Sequence, residues 1–245
     1  MSSETARSDA AKLAVAVRAA DLVEDGMLVG LGTGSTAVFL VRRLGERMKD
    51  EGLRFTGVPT SRRTGDLARE LDIPLTTLDE TAKIDLTIDG ADEIDPWFDL
   101  LKGGGGALLR EKIVAAASDR MVVIADGSKE VEALGAFPLP VEAVPFGLAA
   151  TRSLVTAALE EADVDTRDVS VRMGDGAPYV TDGGNLILDL NLGRIGDPPG
   201  LARALNAVPG VVETGLFIGI CDTVVVARTE GRVEIRHRDP IDARS

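Results

Sequence analysis

The chain has 245 residues, 44% hydrophobic and 27% charged, which suits one large or two modest globular domains and excludes disordered and fibrous folds. Against 27 basic residues stand 40 acidic ones, a net charge of −13, which repels nucleic-acid phosphates and anionic lipid headgroups and argues against both as partners. One cysteine, Cys221, and one histidine, His237, leave no intramolecular disulfide and no Cys/His zinc site.

Met1 to Asp9 are polar and acidic where a secretory signal needs a basic start and an apolar run, and no stretch nears ~18 consecutive apolar residues, so a cytoplasmic location is expected. From Ala10 to Val23 the residues Leu13, Val17, Ala20 and Val23 recur at helical spacing, with Gly26 placed to close the helix. Met27 to Val29 reads as a buried strand, Gly30 to Thr36 as a Gly/Thr/Ser-rich loop, and Val38, Val41, Leu44 and Met48 as a second helical stripe. Phe55 to Val58 with Pro59 predicts a strand, and Ser61 a cap for a helix from Arg62 to Leu71. Ile84 to Ile88 is strand-like and runs into Asp89-Gly90-Ala91-Asp92-Glu93. Lys102 and four glycines then precede a helix from Ala107 to Ala117, and a strand from Met121 to Ala125 ends at Asp126-Gly127-Ser128-Lys129. Alternation at this spacing predicts an α/β fold with a doubly wound, mostly parallel, Rossmann-like sheet.

After about Val131 the texture changes. A strand at Leu139 to Val144, a helix at Leu148 to Glu161, strands at Val169 to Met173 and Leu186 to Leu190, a helix at Leu201 to Ala207 and a strand near Val211 make a smaller ferredoxin-like α+β domain. Thr223 to Ala227 and Val233 to Ile235 read as a terminal hairpin returning to the first domain. The expected boundaries are 1–131 plus 216–245 for the Rossmann-like domain and 132–215 for the smaller one.

Three polar clusters directly follow apolar strands: Gly32 to Thr36, Asp89 to Glu93, and Asp126 to Lys129. In an open α/β sheet that address is the carboxyl edge, where ligands bind. A loop of Thr33, Gly34, Ser35 and Thr36 running into a helix offers free amides, hydroxyl donors and a positive helix end, all suited to phosphate. An ordinary tight turn capped by Ser35 has the same pattern. The loop lacks the third glycine of the dinucleotide fingerprint, the lysine of the P-loop and, at Ala37, the last glycine of a nucleophile elbow. Asp89, Asp92 and Glu93 put three carboxylates within five residues, which calls for cations, hydrogen bonds or a hydroxyl-rich ligand, or else marks a solvated acidic loop. Gly103 to Gly106 cost conformational entropy that a simple loop does not require, so something approaches that backbone closely. Glu111, on the helix that follows, is by itself equally a partner for Arg110 or Lys112 on an exposed face.

The ordered set Gly32-Thr33-Gly34-Ser35-Thr36, Asp89-Gly90-Ala91-Asp92-Glu93, Lys102-Gly103-Gly104-Gly105-Gly106 with Arg110-Glu111-Lys112, and Phe137-Pro138-Leu139-Pro140-Val141-Glu142 closely resembles the ribose-5-phosphate isomerase family of the A type. The resemblance continues through Asp182-Gly183-Gly184-Asn185 and Pro209 to Phe217, with Gly183 where the family often has Asn. It implies interconversion of ribose 5-phosphate and ribulose 5-phosphate without metal or organic cofactor, by a homodimer or homotetramer. It also implies Glu111 as the base that shuttles the carbon-bound proton and Lys102 as the donor to the enediolate. By the same resemblance Asp89 and Asp92 bind sugar hydroxyls and assist ring opening, with Gly90, Ala91, Gly103, Gly104 and Gly105 lining the substrate. Thr33, Gly34, Ser35, Thr36 and Lys129 match substrate-binding positions and are assigned to the phosphate. Such chemistry suits the residues, because one carboxylate on a fixed helix can take a proton from one carbon and return it to the next.

Two other classes are weighed. A non-catalytic sugar-phosphate sensor would normally carry a DNA-binding segment, whereas only about twenty-five residues precede the first strand and the charge opposes DNA. An amino-sugar-phosphate deaminase or a coenzyme A transferase of related architecture would not require the full set Asp89, Asp92, Lys102 and Glu111. Lysine is scarce, six against twenty-one arginines, which with the acidic excess fits a salt-rich cytosol or a GC-rich genome.

Overall fold

The computed structural model describes residues 3–81, 83–228 and 232–239. In chain order the elements begin with α1 (Ser3–Ala20), β1 (Leu28–Leu31), α2 (Ser35–Glu46), β2 (Thr56–Pro59), α3 (Arg62–Glu70) and β3 (Leu86–Asp89). Next come β4 (Glu93–Ile94), β5 (Leu100–Leu101), α4 (Leu108–Ala116), β6 (Met121–Asp126), β7 (Leu139–Ala143), α5 (Leu148–Glu160) and β8 (Asp168–Val171). The remainder are β9 (Met173–Gly174), β10 (Ala177–Pro178), β11 (Leu186–Asn191), α6 (Pro198–Asn206), β12 (Val211–Thr214), β13 (Leu216–Phe217), β14 (Thr223–Ala227) and β15 (Val233–His237). The chain divides into two compact units, Met1–Ala91 with Arg110–Lys129 and Ile220–Ser245, and Asp92–Leu109 with Glu130–Gly219.

The first unit is built on a six-stranded sheet in the order β15-β14-β6-β3-β1-β2, parallel throughout except for β15. All four residues of β3 are buried, as expected of a parallel strand covered on both faces. On one face α1, α2 and α3 pack Ala16, Ala19, Leu40, Leu44 and Ala68 against Leu31, Leu86, Ile88, Ile124 and Val225. On the other, Val114 of α4 joins Val58 and Ile84. Gly30 makes that second contact possible: a Cβ there would overlap Thr87 and come within 2.7 Å of Val114.

The second unit carries β7-α5-β8-β11-α6-β12, with its four strands in the order β12-β7-β11-β8 and every neighbour antiparallel. Taken as strands one to four, that is the ferredoxin-like order four-one-three-two. Its core joins Leu139, Val141, Val155, Leu159, Leu188, Leu190, Leu201 and Leu205. A small sheet β13-β5-β4 and the hairpin β9-β10 complete it.

Several particulars differ from the sequence reading. The opening helix runs from Ser3 and stops at Ala20, and the stripe through Met48 leaves α2 for a π-helical turn, Arg47–Glu51, ended by Gly52 at φ 77°. Asp92–Leu109 and Leu216–Gly219 group with the second unit, whereas the expected boundaries put them in the first. Backbone pairing is the cause, since β4, β5 and β13 bond to one another. These two-residue strands carry no periodicity for a sequence reading to detect.

Candidate active site

In the first unit β1 pairs with β2 on one side and β3 on the other, so the chain reverses its direction of sheet growth at β1. At such a switch point neighbouring loops diverge and leave a crevice at the carboxyl edge. The Gly32 to Ser35 loop and Asp89 both sit there. The Asp89 side chain is fully buried, and its Oδ1 accepts the Thr33 N–H at 3.0 Å and the Gly90 N–H at 2.7 Å. Two amide donors offset the desolvation of that carboxylate. A Cβ on Gly32 would overlap the same carboxylate and lie 2.6 Å from the Asp89 Cα, so glycine is required where these loops meet.

Thr33 is also fixed through its hydroxyl, which lies 2.7 Å from Thr60 Oγ1 and 3.2 Å from Thr64 Oγ1 and donates to Ser61 Oγ at 2.8 Å. Thr64 donates onward to the Gly32 carbonyl at 3.0 Å. Thr60 and Thr64 escaped the sequence reading, although Thr60-Ser61 directly follows β2 at the same edge. Ser61 caps α3 as expected, accepting the Thr64 N–H at 3.1 Å. The cap of α2 is Gly34, at φ 114° and without a side-chain bond, rather than Ser35, which stays exposed beside half-buried Thr36. Lys129 ends the 3₁₀ turn Gly127–Lys129 that follows β6, again at the carboxyl edge. Glu111 lies in the first turn of α4 and is only 4% exposed, not on the solvent face that a plain surface pairing would give it. The positive end of the helix favours a carboxylate there.

The second unit holds the other expected residues. Asp92 Oδ2 accepts the Gly104 N–H at 2.7 Å, and a Cβ on Gly104 would come within 2.8 Å of Asp92 and 3.0 Å of the Phe137 ring. Lys102 is 2% exposed. Its N–H donates to the Gly215 carbonyl at 2.8 Å, and its ammonium lies 5.4 Å from the centre of the Phe217 ring, whose electron-rich face lowers the cost of burying a cation. A Cβ on Gly215 would collide with the Lys102 carbonyl, so the Gly215-Leu216-Phe217 motif is the seat of Lys102. Phe137 and Phe217 had drawn notice only as parts of motifs.

Glu93 takes another part. Buried in β4, it accepts the Gly135 and Phe137 N–H groups at 2.6 and 2.5 Å, which pins the loop bearing Phe137. Glu142, 1% exposed, accepts from Thr181 and Asn185 at 2.8 and 2.9 Å, tying together two more motifs. Among the described residues no group of three or more His, Cys, Asp and Glu side chains is set to hold a metal ion, and no helix is long and apolar enough to cross a membrane.

The sequence profile of the family described as Ribose 5-phosphate isomerase A (phosphoriboisomerase A) matches residues 56–231. Ribose-5-phosphate isomerase A of Roseobacter denitrificans is 63% identical over 236 residues, 96% of this chain and 90% of that protein. Among solved structures, ribose 5-phosphate isomerase A of Methanocaldococcus jannaschii superposes with a TM-score of 0.84 at 42% identity, over 92% of this chain and 97% of that one. A D-ribose-5-phosphate isomerase in complex with phospho-erythronic acid gives 0.86 at 38% identity, over 93% and 97%. With a profile match over most of the chain and a relative 63% identical over 236 residues, the chain belongs to the ribose 5-phosphate isomerase A family.

Proposed function

We propose that the chain interconverts ribose 5-phosphate and ribulose 5-phosphate in the cytosol, as a step of carbohydrate metabolism. The observation that carries this reading is the buried carboxylate of Glu111, held in a helix first turn in a chain of this family. In the open-chain aldose Glu111 takes the C2 proton. The C2–H electron pair becomes the C1=C2 bond, and negative charge collects on the former aldehyde oxygen. Glu111 then delivers the proton to C1 while the O2 proton passes to O1, leaving the ketose with nothing consumed.

Lys102 supplies positive charge to the enediolate oxygens, and its burial supports that role because a dry cation acts more strongly than a solvated one. Asp89 and Asp92 bind sugar hydroxyls and assist ring opening, with Gly90, Ala91 and Gly103 to Gly105 against the substrate. Thr33 to Thr36 and Lys129 take the phosphate, supported by the amides and helix end at the switch point. Each step uses groups of the chain alone, without metal or organic cofactor. The active species is a homodimer or homotetramer, which light scattering reads directly.

Direct measurement of ribulose 5-phosphate formation tests the activity, with the reaction run in deuterium oxide to follow exchange at the carbon-bound positions. Turnover with solvent deuterium entering the sugar is expected. A chain that binds ribose 5-phosphate and never converts it would be a sugar-phosphate sensor instead.

A further inference from the structure

Four glycines carry no side chains to fix their own conformation. Gly103 to Gly106 form a turn closed by the Gly106 N–H, which donates to the Gly103 carbonyl at 2.9 Å. The middle peptide of such a turn, here Gly104–Gly105, can rotate so that its C=O and N–H exchange directions, and glycine opposes neither orientation sterically. Arg172 removes that freedom. Its Nη1 donates to the Gly103 carbonyl at 2.8 Å and the Gly104 carbonyl at 3.1 Å. The other edge of the same guanidinium, Nε and Nη2, donates to both oxygens of Asp189 in β11, at 2.9 and 2.5 Å. That two-point grip fixes the plane of the cation and so the direction of its remaining donor. These side chains are 14% and 19% exposed, so water competes little with the pairing.

Tyr179 also braces the turn. Its N–H donates to the Arg172 carbonyl at 2.9 Å, across the loop that holds β9 and β10. Its ring lies where a Cβ on Gly106 would sit, 2.5 Å from that position, and its hydroxyl is 3.4 Å from the Gly105 carbonyl. In a trans peptide the N–H points opposite to the C=O. With carbonyls turned to Arg172, the N–H groups of Gly104 and Gly105 face the other way, and the first of them already reaches Asp92 at 2.7 Å. Both glycines are exposed.

We propose that Arg172, oriented by Asp189, is a positioning residue for the isomerisation: it holds the Gly104–Gly105 peptide so that the Gly105 N–H meets the oxygen that becomes negative in the enediolate. This rests on the isomerase reading above. A donor aimed in advance at developing charge lowers the barrier without tightening ground-state binding. Losing its aim therefore lowers kcat more than it raises KM.

The paired variant Arg172→Met with Asp189→Leu removes the guanidinium without stranding a carboxylate, and Arg172→Lys keeps the charge but lacks the fork. Asp189→Asn keeps shape and loosens the grip, and it carries the comparison if the paired variant does not fold. Each is assayed with ribose 5-phosphate and titrated by calorimetry with phospho-erythronic acid, whose carboxylate presents delocalised charge on planar oxygens as an enediolate does. Expected for the paired variant is a kcat lower by about 10- to 100-fold, at or below the cost of removing an oxyanion donor outright. KM should stay within about three-fold, affinity for the acid should fall in step with kcat, and Arg172→Lys should lie between parent and paired variant. Folded variants that keep kcat within about three-fold of an active parent overturn this proposal and leave the isomerase reading standing, as does a kcat loss with affinity for the acid intact. A parent without turnover fails both.

Discussion

In the proposed reaction Glu111 is the base. Glu111→Gln preserves side-chain shape and removes the base, so kcat should fall by about 10² to 10⁴, with calorimetric affinity for ribose 5-phosphate little changed. Isomerisation within a few-fold of the parent would move the base to Asp89 or Asp92, because Glu93 is committed to the Gly135 and Phe137 amides. In the proposed reading Thr36 and Lys129 hold a phosphate that does not react and is bound alike in ground and transition states, and Thr36→Ala and Lys129→Ala test it. KM should therefore rise more than kcat falls, and steady-state kinetics unchanged in both variants would place the phosphate elsewhere.

At the scale of elements, α3 is more than a cover for β2. Ser61 caps it and accepts from the Thr33 hydroxyl, so the start of this helix holds the loop that precedes α2. Ser61→Ala should cost about 1 to 2 kcal/mol of stability, read from the urea midpoint, and should also raise KM for the phosphorylated sugar. A shift in midpoint with KM unmoved would confine Ser61 to capping. The strands and helices of four or more residues were readable from periodicity, since each repeats its apolar face often enough to be counted. The reason for Gly32 was not, because it lies in a carboxylate 57 residues away in sequence. The same holds for Lys102: its neighbours Gly215 and Phe217 are distant in sequence, and only the pairing of β5 with β13 joins them. For the cluster Asp89, Asp92 and Glu93 the sequence left hydrogen bonds, a ligand and a solvated loop open, because spacing does not tell a carboxylate aimed at a ligand from one, like Glu93, that accepts the amides of a remote loop.

For the whole molecule, a net charge of −13 means self-repulsion that salt relieves within roughly a 10 Å Debye length at 0.1 M and less above it. Melting temperature should rise from low to molar KCl, and a flat or falling curve would leave the shortage of lysine as a matter of genome composition. Exposed ion pairs such as Arg194 with Asp163 and Lys83 with Asp119 pull the other way, since screening weakens attraction too. The acidic surplus decides the sign.

One consequence follows from the place of β14. It lies parallel to β6 in the first unit's sheet, yet it comes after every residue of the second unit in the chain. A ribosome therefore delivers the ferredoxin-like unit whole, with its own core, while Val122 and Ile124 still wait at an unpaired sheet edge. Such an edge is a hazard in a crowded cell. The order of synthesis makes the first unit to begin the last to finish.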